Sequence, residues 1–548
     1  MKNINVPVGI SNFEKIRQDG YYYVDKTGLI KDMLKNKIPE VTLITRPRRF
    51  GKTLAMSMLA SFFDIRRDSK KLFQGLNISK EQQLCNDWMN QYPTLFLSFK
   101  DVDGTIFENA LGLLQFTIAE LCKKHTYLIE SDVVDQDDKE TFRKLKSMGS
   151  NLPELQGSII MLMNMMKAYY NKQVILLIDE YDVPIAKASS NGYYKEMLEV
   201  MKAMLSTALK DNEALKFAVV TGCLKIAKES VFTGTNNFVS DTISSERYNE
   251  YYGFTQKDVD QILQDAQIEE KASDIKEWYD GYRFEKASSI YSPRSVVAAM
   301  TSGICDSYWN QTETFEALRG YIDMNFDGLK DDVLSMMAGE MVPVNTGSFS
   351  NDMTTFHGED DVLTLLIHLG YLGYDFSHKS VFIPNNEIRG EFVNAVSVSH
   401  WGEVSKALKN SADLLNAIWK KDEEKVAAYM EQAHFETSHL QYNDENALSY
   451  TVSLALYAAR NFYQVYREFP SGSGFADIVY LPRKGFLDKP ALIVELKWNK
   501  SAEGAIQQIL KKQYFQNLED YSGNMLLVGI NYDLKTRKHE CKILEFKK

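Results

Sequence analysis

The chain has 548 residues, 44% hydrophobic and 25% charged, which is the composition of a folded globular protein rather than a disordered or fibrous one. One hydrophobic core does not extend over such a length, so about three or four domains are expected. The sequence contains no run of eighteen apolar residues, and its N-terminus lacks the apolar core of a signal peptide, so we expect neither a membrane-spanning segment nor a signal peptide.

The cysteines indicate the cellular compartment, and the distribution of charge indicates whether nucleic acid could bind. The five cysteines are scattered singly, which is typical of a reducing compartment and argues against structural zinc, so we expect a cytoplasmic location. Net charge is −11, yet residues 441–548 carry 15 Lys and Arg against 12 Asp and Glu. This mildly basic C-terminal part permits a local nucleic-acid-binding surface without requiring one.

A strand, a turn and a helix follow one another between Val41 and Phe63. The β-branched run Val41–Thr45 predicts a buried strand, and a helical pattern follows Gly51-Lys52-Thr53. This is the order of a phosphate-binding P-loop, in which backbone amides at a helix N-terminus face the anion. The amides expected to do so belong to five consecutive residues, Arg49, Phe50, Gly51, Lys52 and Thr53.

Two side chains of this motif have expected roles of their own. Lys52 would reach the β- and γ-phosphates of ATP, and the Thr53 hydroxyl would be a ligand of Mg²⁺. The P-loop motif is incomplete, because Arg46, followed by Pro47, stands where the first glycine is usual. Taken alone, the stretch could equally be a basic surface turn before a helix.

Further along the chain, apolar strand patterns alternate with helical patterns, which predicts a parallel sheet covered on both faces. The strongest strand, residues 174–178, runs into Asp179-Glu180, and a later strand ends at Thr221. Asp179 would hold Mg²⁺ through water, Glu180 would polarise the attacking water, and Thr221 would sense the γ-phosphate. Two acids can also simply end a strand, but their combination with the upstream motif favours a nucleotide hydrolase.

Residues 255–300 read as a small helical lid, and residues 361–393 as a helix, two strands and a helix of winged-helix-like order. That unit could contact DNA or pack between domains. Packing is favoured, because the stretch has few basic residues.

A second group of chemically active residues lies near the C-terminus. Asp477 is on one predicted strand, and Glu495 and Lys497 project from the same face of another. Two carboxylates can bind Mg²⁺, and a lysine can position the attacking water, as in a metal-dependent phosphodiesterase. A Glu-x-Lys pair alone is a weak signal, but a helix containing Gln508 follows in the order this chemistry requires.

These motifs together resemble the bacterial AAA-ATPase-like proteins that carry a PD-(D/E)XK nuclease-like domain at the C-terminus. The resemblance rests on several stretches: Tyr23-Val24-Asp25-Lys26-Thr27, Arg46-Pro47-Arg48-Arg49-Phe50-Gly51-Lys52-Thr53, Ile178-Asp179-Glu180-Tyr181-Asp182, Thr221-Gly222 and Trp278-Tyr279-Asp280-Gly281-Tyr282. It implies an α/β fold: a P-loop NTPase parallel sheet with a helical lid, a small winged-helix-like unit and a restriction-endonuclease-like domain. The implied boundaries are 1–250 for the ATPase domain, 251–320 for the lid, 321–435 for the connector and 436–548 for the nuclease-like domain.

The resemblance also implies site residues. Asp477 and Glu495 would be metal ligands, with Glu445 as a third and Glu468 as its rival. Lys497 would be catalytic, supported by Gln508. Two positions depart from the family: Lys225 and Phe475 stand where arginine is expected, and lysine lacks the two-pronged geometry of arginine.

The expected cofactors are ATP and Mg²⁺, with Mn²⁺ as an alternative at the nuclease-like site. The expected partner is nucleic acid, with DNA favoured over RNA; a membrane is not expected, and a homo-oligomer is compatible with the fold. The leading hypothesis is an ATPase whose nucleotide state controls a nuclease-like domain. The alternatives are an ATP-driven switch whose nuclease-like domain binds without cleaving, and a nucleotide-binding scaffold that does not hydrolyse.

Overall fold

The computed structural model describes the chain except residues 1–3, 36–37, 227–237, 243–246, 285–286, 310–315, 325, 348, 350–355, 400, 437–444, 472–473, 516–522 and 548. The chain divides into two compact units. The first consists of Met1–Gln311 and Pro343–Ile388, and the second of Thr312–Val342 and Arg389–Lys548. The finer division into four domains stays a prediction.

The first 302 residues contain most of the elements of the first unit. The strands are β1 (Val41–Thr45), β2 (Thr94–Ser98), β3 (Val174–Asp179), β4 (Leu215–Gly222), β5 (Phe238–Asp241), β6 (Phe254–Thr255), β7 (Tyr282–Phe284) and β8 (Ala287–Tyr291). The helices are α1 (Phe13–Gln18), α2 (Gly28–Lys35), α3 (Lys52–Phe63), α4 (Lys70–Phe73), α5 (Gln82–Trp88), α6 (Phe107–Lys124), α7 (Gln136–Lys146), α8 (Leu152–Gln156), α9 (Ser158–Tyr170), α10 (Val183–Asn191), α11 (Tyr194–Leu209), α12 (Gln256–Ala266), α13 (Ala272–Tyr279) and α14 (Pro293–Ser302).

The main sheet of the first unit is parallel and has the strand order β2-β3-β4-β1-β5. Every residue of β1 and β3 is buried, as expected for strands whose two faces are both covered by helices. Because the strands are parallel, their carboxyl ends meet at one edge. This edge carries the P-loop motif after β1, the acids at the end of β3 and Thr221 in β4, which confirms the predicted P-loop NTPase sheet.

The region predicted as a helical lid contains three helices, α12, α13 and α14, and also a small antiparallel sheet of order β6-β8-β7. The helices share a buried cluster that includes Val259, Ile275 and Val296. The expectation of a purely helical lid missed the sheet because its strands are only two to five residues long.

The remaining elements follow in chain order. The helices are α15 (Glu316–Ile322), α16 (Leu329–Ala338), α17 (Glu359–Leu369), α18 (Asn386–Val398), α19 (Gly402–Trp419), α20 (Glu423–Glu436), α21 (Glu445–Ala455) and α22 (Ala502–Lys512). The strands are β9 (Val342–Pro343), β10 (Gly373–Asp375), β11 (Ser380–Phe382), β12 (Tyr463–Ser471), β13 (Gly474–Pro482), β14 (Ala491–Trp498), β15 (Met525–Asp533) and β16 (Lys538–Phe546). In the first unit, α17 and the antiparallel hairpin β10–β11 form the helix-and-hairpin part of the predicted winged-helix-like order.

The sheet of the second unit has the order β12-β13-β14-β15-β16, with β14 and β15 parallel and the other pairs antiparallel. Residues of α22 pack on one face, and residues of α19, α20 and α21 on the other. The mixed sheet with helices on both faces fits the predicted restriction-endonuclease-like domain. The sequence pattern also predicts a single helix over residues 446–463, and this is wrong: α21 ends at Ala455, and Tyr463 already begins β12.

Candidate functional site

The turn after β1 ends at a glycine whose conformation starts α3. Gly51 precedes the helix with φ +87°, a left-handed conformation that side chains disfavour, and a Cβ built on it would contact nothing within 4 Å. Backbone conformation, and not crowding, therefore explains this glycine. The turn directs the N-terminus of a twelve-residue helix toward the carboxyl edge of the sheet.

Lys52 is held inside its own loop. Its ammonium donates hydrogen bonds to the carbonyl oxygens of Arg46 (2.8 Å) and Pro47 (2.9 Å), and it lies 3.4 Å from Cys223 Sγ. The side chain is 5% exposed, so the charge is already desolvated and is satisfied by carbonyl oxygens of the kind that a phosphate oxygen can replace.

Arg46 is buried and belongs to the framework of the site. Its guanidinium pairs with Asp241 Oδ2 at 2.8 Å and donates to Asn249 Oδ1 at 3.1 Å. It also lies over the rings of Tyr252 and Phe284. The arginine that stands where a first glycine is usual therefore ties the loop to β5 and to the chain before the lid, which the sequence had left open.

The Arg49 side chain contacts the segment that contains Trp309. The guanidinium donates to the carbonyl oxygens of Tyr308 (3.3 Å) and Trp309, and it stacks on the Trp309 ring at 4.6 Å. Burial lowers the pKa of Arg49 to about 10. Its backbone amide stays the predicted phosphate contact, while its side chain is engaged by another segment. Phe50 is fully buried and packs edge-on against Tyr282.

Asp179 and Thr221 lie together at the ends of β3 and β4. Thr221 Oγ1 donates a hydrogen bond of 2.6 Å to Asp179 Oδ1, and both residues are fully buried. Asp179 Oδ2 is buried with no hydrogen-bond partner among the described residues. An orphaned carboxylate oxygen at the carboxyl edge of the sheet fits a site that receives a water or an ion, so these residues fit Mg²⁺ held through water.

Glu180 has an unusual backbone. Its φ is +53°, which is uncommon for a residue with a long side chain and costs of order 1 kcal/mol or more. Burial raises the pKa of Glu180, neighbouring Asp179 adds to the rise, and Lys52 opposes it. Strain of this kind fits a carboxylate held in position for chemistry.

Asp182 was not singled out as a site residue, although it belongs to the Asp-Glu-Tyr-Asp stretch. Its Oδ2 accepts hydrogen bonds from the amides of Cys223 (2.8 Å) and Leu224 (2.9 Å). A Cβ on Gly222 would lie 2.5 Å from Asp182 Oδ1, so only glycine allows this approach. Asp182 thus positions the segment after β4, where half-buried Lys225 lies. The spacing of the acids was the signal that could have identified it.

The second site lies where β13 and β14 diverge. The ladder between them includes Ile478 and Val494, and Asp477 lies one residue beyond. The Asp477 carboxylate accepts the amide hydrogen of Leu496 at 2.7 Å, so it occupies the gap between the strands. Asp477 lies close enough to Glu495 for the Asp477 charge to raise the pKa of Glu495.

Glu495 is the centre of this site and is 1% exposed. Its Oε1 accepts hydrogen bonds from Lys497 Nζ (2.8 Å) and from Gln508 Nε2, while Oε2 is buried with no hydrogen-bond partner in the described part of the chain. Burial raises the pKa of Glu495 to about 7, and Asp477 adds to the rise; Lys497 and Lys512 oppose it. The orphaned oxygen beside a second carboxylate fits a divalent cation.

Gly529 allows α22 to bring Gln508 to Glu495. Gly529 is paired with Glu495 in the parallel register of β14 and β15. A Cβ on Gly529 would lie 2.4 Å from Ala502 O and 3.0 Å from Ala505 Cβ. The close approach of helix and strand therefore requires glycine. Sequence reasoning missed this residue, because a glycine inside a strand gives no sign of what packs on it.

The third predicted ligand is less defined. Glu445 begins α21, and its side chain lies outside the described residues, so its role stays a prediction. Its rival Glu468 is exposed, has φ +45° and lies between the pairs Arg467–Ile478 and Phe469–Ala476. Within the described residues, no group of three or more His, Cys, Asp or Glu side chains could hold a metal ion. Two carboxylates remain, a number sufficient for Mg²⁺ that is also bound by substrate phosphate and water.

Two family models match this chain, one in the region of each candidate site. A family model described as Predicted AAA-ATPase matches residues 7–232, and one described as PD-(D/E)XK nuclease superfamily matches residues 445–542. The chain joins an AAA-ATPase-like region to a PD-(D/E)XK nuclease superfamily region. This confirms the resemblance inferred from the motifs.

Two individual proteins are also similar. "Uncharacterized protein in vnfD 5'region" of Azotobacter chroococcum mcd 1 is 28% identical over 316 residues, 57% of this chain and 55% of that protein, so the chain spans about half of its length. The structure of the Aeropyrum pernix ORC2 protein (ADPNP-ADP complexes) matches 68% of this chain and 93% of that chain. Its sequence identity is 10% and its TM-score 0.23, and a score this low carries no argument.

No helix in the described parts of the chain is both long and apolar enough to cross a lipid bilayer.

Proposed function

We propose that the protein hydrolyses ATP and that its nucleotide state controls metal-dependent cleavage of nucleic acid phosphodiesters by the C-terminal region. The observation that carries the proposal is the same at both sites. Each has a buried carboxylate with one oxygen bound by a protein donor and the other without a partner among the described residues: Asp179 in the first unit and Glu495 in the second.

At the nucleotide site, each residue has a distinct task. Lys52 exchanges its carbonyl partners for phosphate oxygens, and the amides from Arg49 to Thr53 bind the phosphate chain. Asp179 and the Thr53 hydroxyl would hold Mg²⁺, which neutralises charge on the phosphates. Glu180 accepts the proton of the attacking water, a role that its raised pKa supports. Thr221 orients Asp179.

At the C-terminal site, Asp477 and Glu495 would hold Mg²⁺ or Mn²⁺, which supplies Lewis acidity toward the phosphodiester. Lys497 Nζ lies 2.8 Å from Glu495 Oε1. It positions the attacking water and stabilises the hydroxide formed from that water. Gln508 fixes the orientation of the Glu495 carboxylate through its hydrogen bond to Oε1.

The contacts of Trp309 support the proposed control by nucleotide. Arg49 of the P-loop binds the carbonyl oxygens of Tyr308 and Trp309, and Glu387 Oε1 accepts the amide hydrogens of the same two residues at 2.9 and 3.0 Å. We call these contacts the Trp309 network. Trp309 lies just before the chain enters the second unit at Thr312, and Glu387 just before it re-enters at Arg389. We infer that nucleotide binding at the P-loop is transmitted through the Trp309 network to the residues that precede both crossings.

Cleavage by the full-length protein tests the nuclease role. Wild type with Mg²⁺ or Mn²⁺ and ATP should cut labelled DNA or RNA, and Asp477→Asn and Glu495→Gln should each lower the rate by about 10²-fold or more. Glu540→Gln, at an exposed acid on the edge strand β16, is the control and should keep wild-type activity. No cleavage by wild type with either metal would reject the nuclease role.

Coupling needs a separate experiment. Arg49→Met removes the cation of the Trp309 network, and we expect cleavage to persist while its dependence on ATP disappears. Arg67→Met, at a partly exposed arginine paired with Glu14, is the control. An unchanged ratio of cleavage with and without ATP in Arg49→Met would reject the coupling.

A second candidate function is an ATP-driven switch whose C-terminal region binds nucleic acid without cutting it. Phe475, 62% exposed where the family often has arginine, favours it, because the site lacks that positive charge. Metal-independent binding without cleavage by wild type would support this candidate.

A further inference from the structure

Lys512 lies on α22 one helical turn after Gln508, on the same side of the helix. Gln508 reaches Glu495, so this side of α22 faces the candidate metal site. Lys512 is half-buried, whereas its neighbour Lys511 is exposed. Its charge also acts on the Glu495 carboxylate. The two lysines of the last helical turn are therefore in different environments.

The Lys512 side chain is held in place by aromatic and backbone groups. Its ammonium lies 5.8 Å from the ring centroid of Tyr514, within the range of a cation–π contact. A Cβ built on Gly474 would lie 3.1 Å from Lys512 Cδ and 3.2 Å from Nζ. Gly474 begins β13, three residues before Asp477, so the lysine stem occupies space beside the strand that carries a predicted metal ligand.

Tyr514 connects Lys512 to the site. The Tyr514 hydroxyl accepts a hydrogen bond of 3.3 Å from Gln508 Nε2, and the same nitrogen donates to Glu495. Tyr514 is fully buried, so its ring is a fixed support for the ammonium. The Lys512 ammonium therefore lies near the candidate metal-binding carboxylates Asp477 and Glu495. This arrangement suits an anion that contacts both the ammonium and a metal ion at these carboxylates.

We propose that Lys512 is a phosphate-binding residue of the C-terminal site, which contacts the nucleic acid backbone next to the phosphodiester held at Asp477 and Glu495. The inference rests on the proposed nucleic-acid function of this site. It assigns to α22 the positive charge that Phe475 does not provide on β13. A purely structural role is the alternative, because a lysine near a helix C-terminus is favoured by the helix dipole.

Binding without metal distinguishes these roles. The probes are fluorescein-labelled DNA of about 20 nucleotides, single-stranded and duplex, titrated with full-length protein in EDTA and followed by fluorescence anisotropy over a range of NaCl. Lys512→Met keeps an unbranched side chain of similar length but removes the charge. Lys511→Met is the matched control, since it removes a charge from the same helical turn.

We expect Lys512→Met to weaken binding about 3- to 10-fold near 0.1 M NaCl and to lower the salt slope by about 0.7 to 0.9, the loss of one phosphate contact. Lys511→Met should bind like wild type, and Lys512→Arg should restore most of the affinity. Equal affinities for Lys512→Met and wild type, equal losses in both Met variants, or no binding of either probe by wild type would each overturn the assignment. Failure of the nuclease proposal is distinguishable, because it would show as binding without cleavage when Mg²⁺ is added.

Discussion

The Thr221 hydroxyl donates a 2.6 Å hydrogen bond to Asp179 Oδ1 and leaves Asp179 Oδ2 buried without a partner among the described residues. The two residues are 42 positions apart in sequence, and adjacent parallel strands bring them together. A threonine whose hydroxyl holds one carboxylate oxygen fixes the direction of the other. This relationship suggests that Thr221 acts through Asp179 rather than on nucleotide alone.

Replacing Thr221 by valine tests this role. The variant keeps the shape of the side chain and loses the donor, so Asp179 should lose its orientation. We expect ATP affinity to change little and hydrolysis to fall about 10-fold or more. Thr221→Ser keeps the donor and should retain most of the rate; a valine variant as fast as the serine variant would contradict the role. Phosphate release and binding of a fluorescent ATP analogue are the measurements.

Substitutions at Glu180 and Lys52 should have separate effects, the first on ATP hydrolysis and the second on ATP binding. Glu180→Gln removes the proton acceptor but keeps the size of the side chain, so ATP should remain bound while hydrolysis falls about 10²-fold or more. Lys52→Ala removes the ammonium that would replace its bonds to Arg46 and Pro47 carbonyl oxygens by bonds to phosphate, so binding itself should be lost. Equal turnover in Glu180→Gln and wild type would reject the base, and normal ATP binding by Lys52→Ala would reject the P-loop assignment.

The sequence predicted the fold where strands were continuous apolar runs. Residues Val41–Thr45 were predicted with the observed bounds, because a strand buried on both faces has no alternation of apolar and charged residues to obscure it. The short strand β5 and the strands β12 and β16 were missed. Both β12 and β16 lie at the edges of their sheet, where one side of the strand has no neighbour and the pattern is mixed.

The candidate sites were predicted in part, for a related reason. Asp179, Glu180 and Thr221 stand at strand ends, which a sequence pattern can locate. The role of Arg46 depends on Asp241, 195 residues away, and that of Gly529 on the approach of α22. Such roles arise from long-range packing and leave no local pattern in the sequence.

Gly529→Ala should disturb the C-terminal site by displacing α22, the helix that carries Gln508. The added methyl would lie 2.4 Å from Ala502 O, so α22 must move away from β15 and Gln508 must move from Glu495. Overpacking of this kind costs about 1 to 3 kcal/mol of stability. We expect a lower thermal midpoint and weaker cleavage, with ATP hydrolysis unchanged. Gly485→Ala, where a Cβ meets nothing within 4 Å, is the control; equal stability of the two variants would contradict the packing argument.

Glu387 should make the first unit sensitive to pH. It is 1% exposed, and burial raises its pKa to about 7, although hydrogen bonds from Ser295, Tyr308 and Trp309 and the charge of Arg49 oppose the rise. The pKa of an unfolded glutamate is about 4.3. The folded protein therefore holds a proton that the unfolded chain has released, and its stability decreases as pH rises through this interval.

Glu387→Gln removes this titration while its amide oxygen can still accept from Tyr308 and Trp309. The stability of the variant relative to wild type should therefore increase between about pH 4.3 and pH 7, by up to about 3 to 4 kcal/mol, and stay constant above that range. Thermal unfolding of both proteins across these pH values measures the difference, with Glu250→Gln as an exposed control. A difference that does not change with pH would mean that Glu387 is ionised throughout, and that the Trp309 network is held by a permanent ion pair with Arg49.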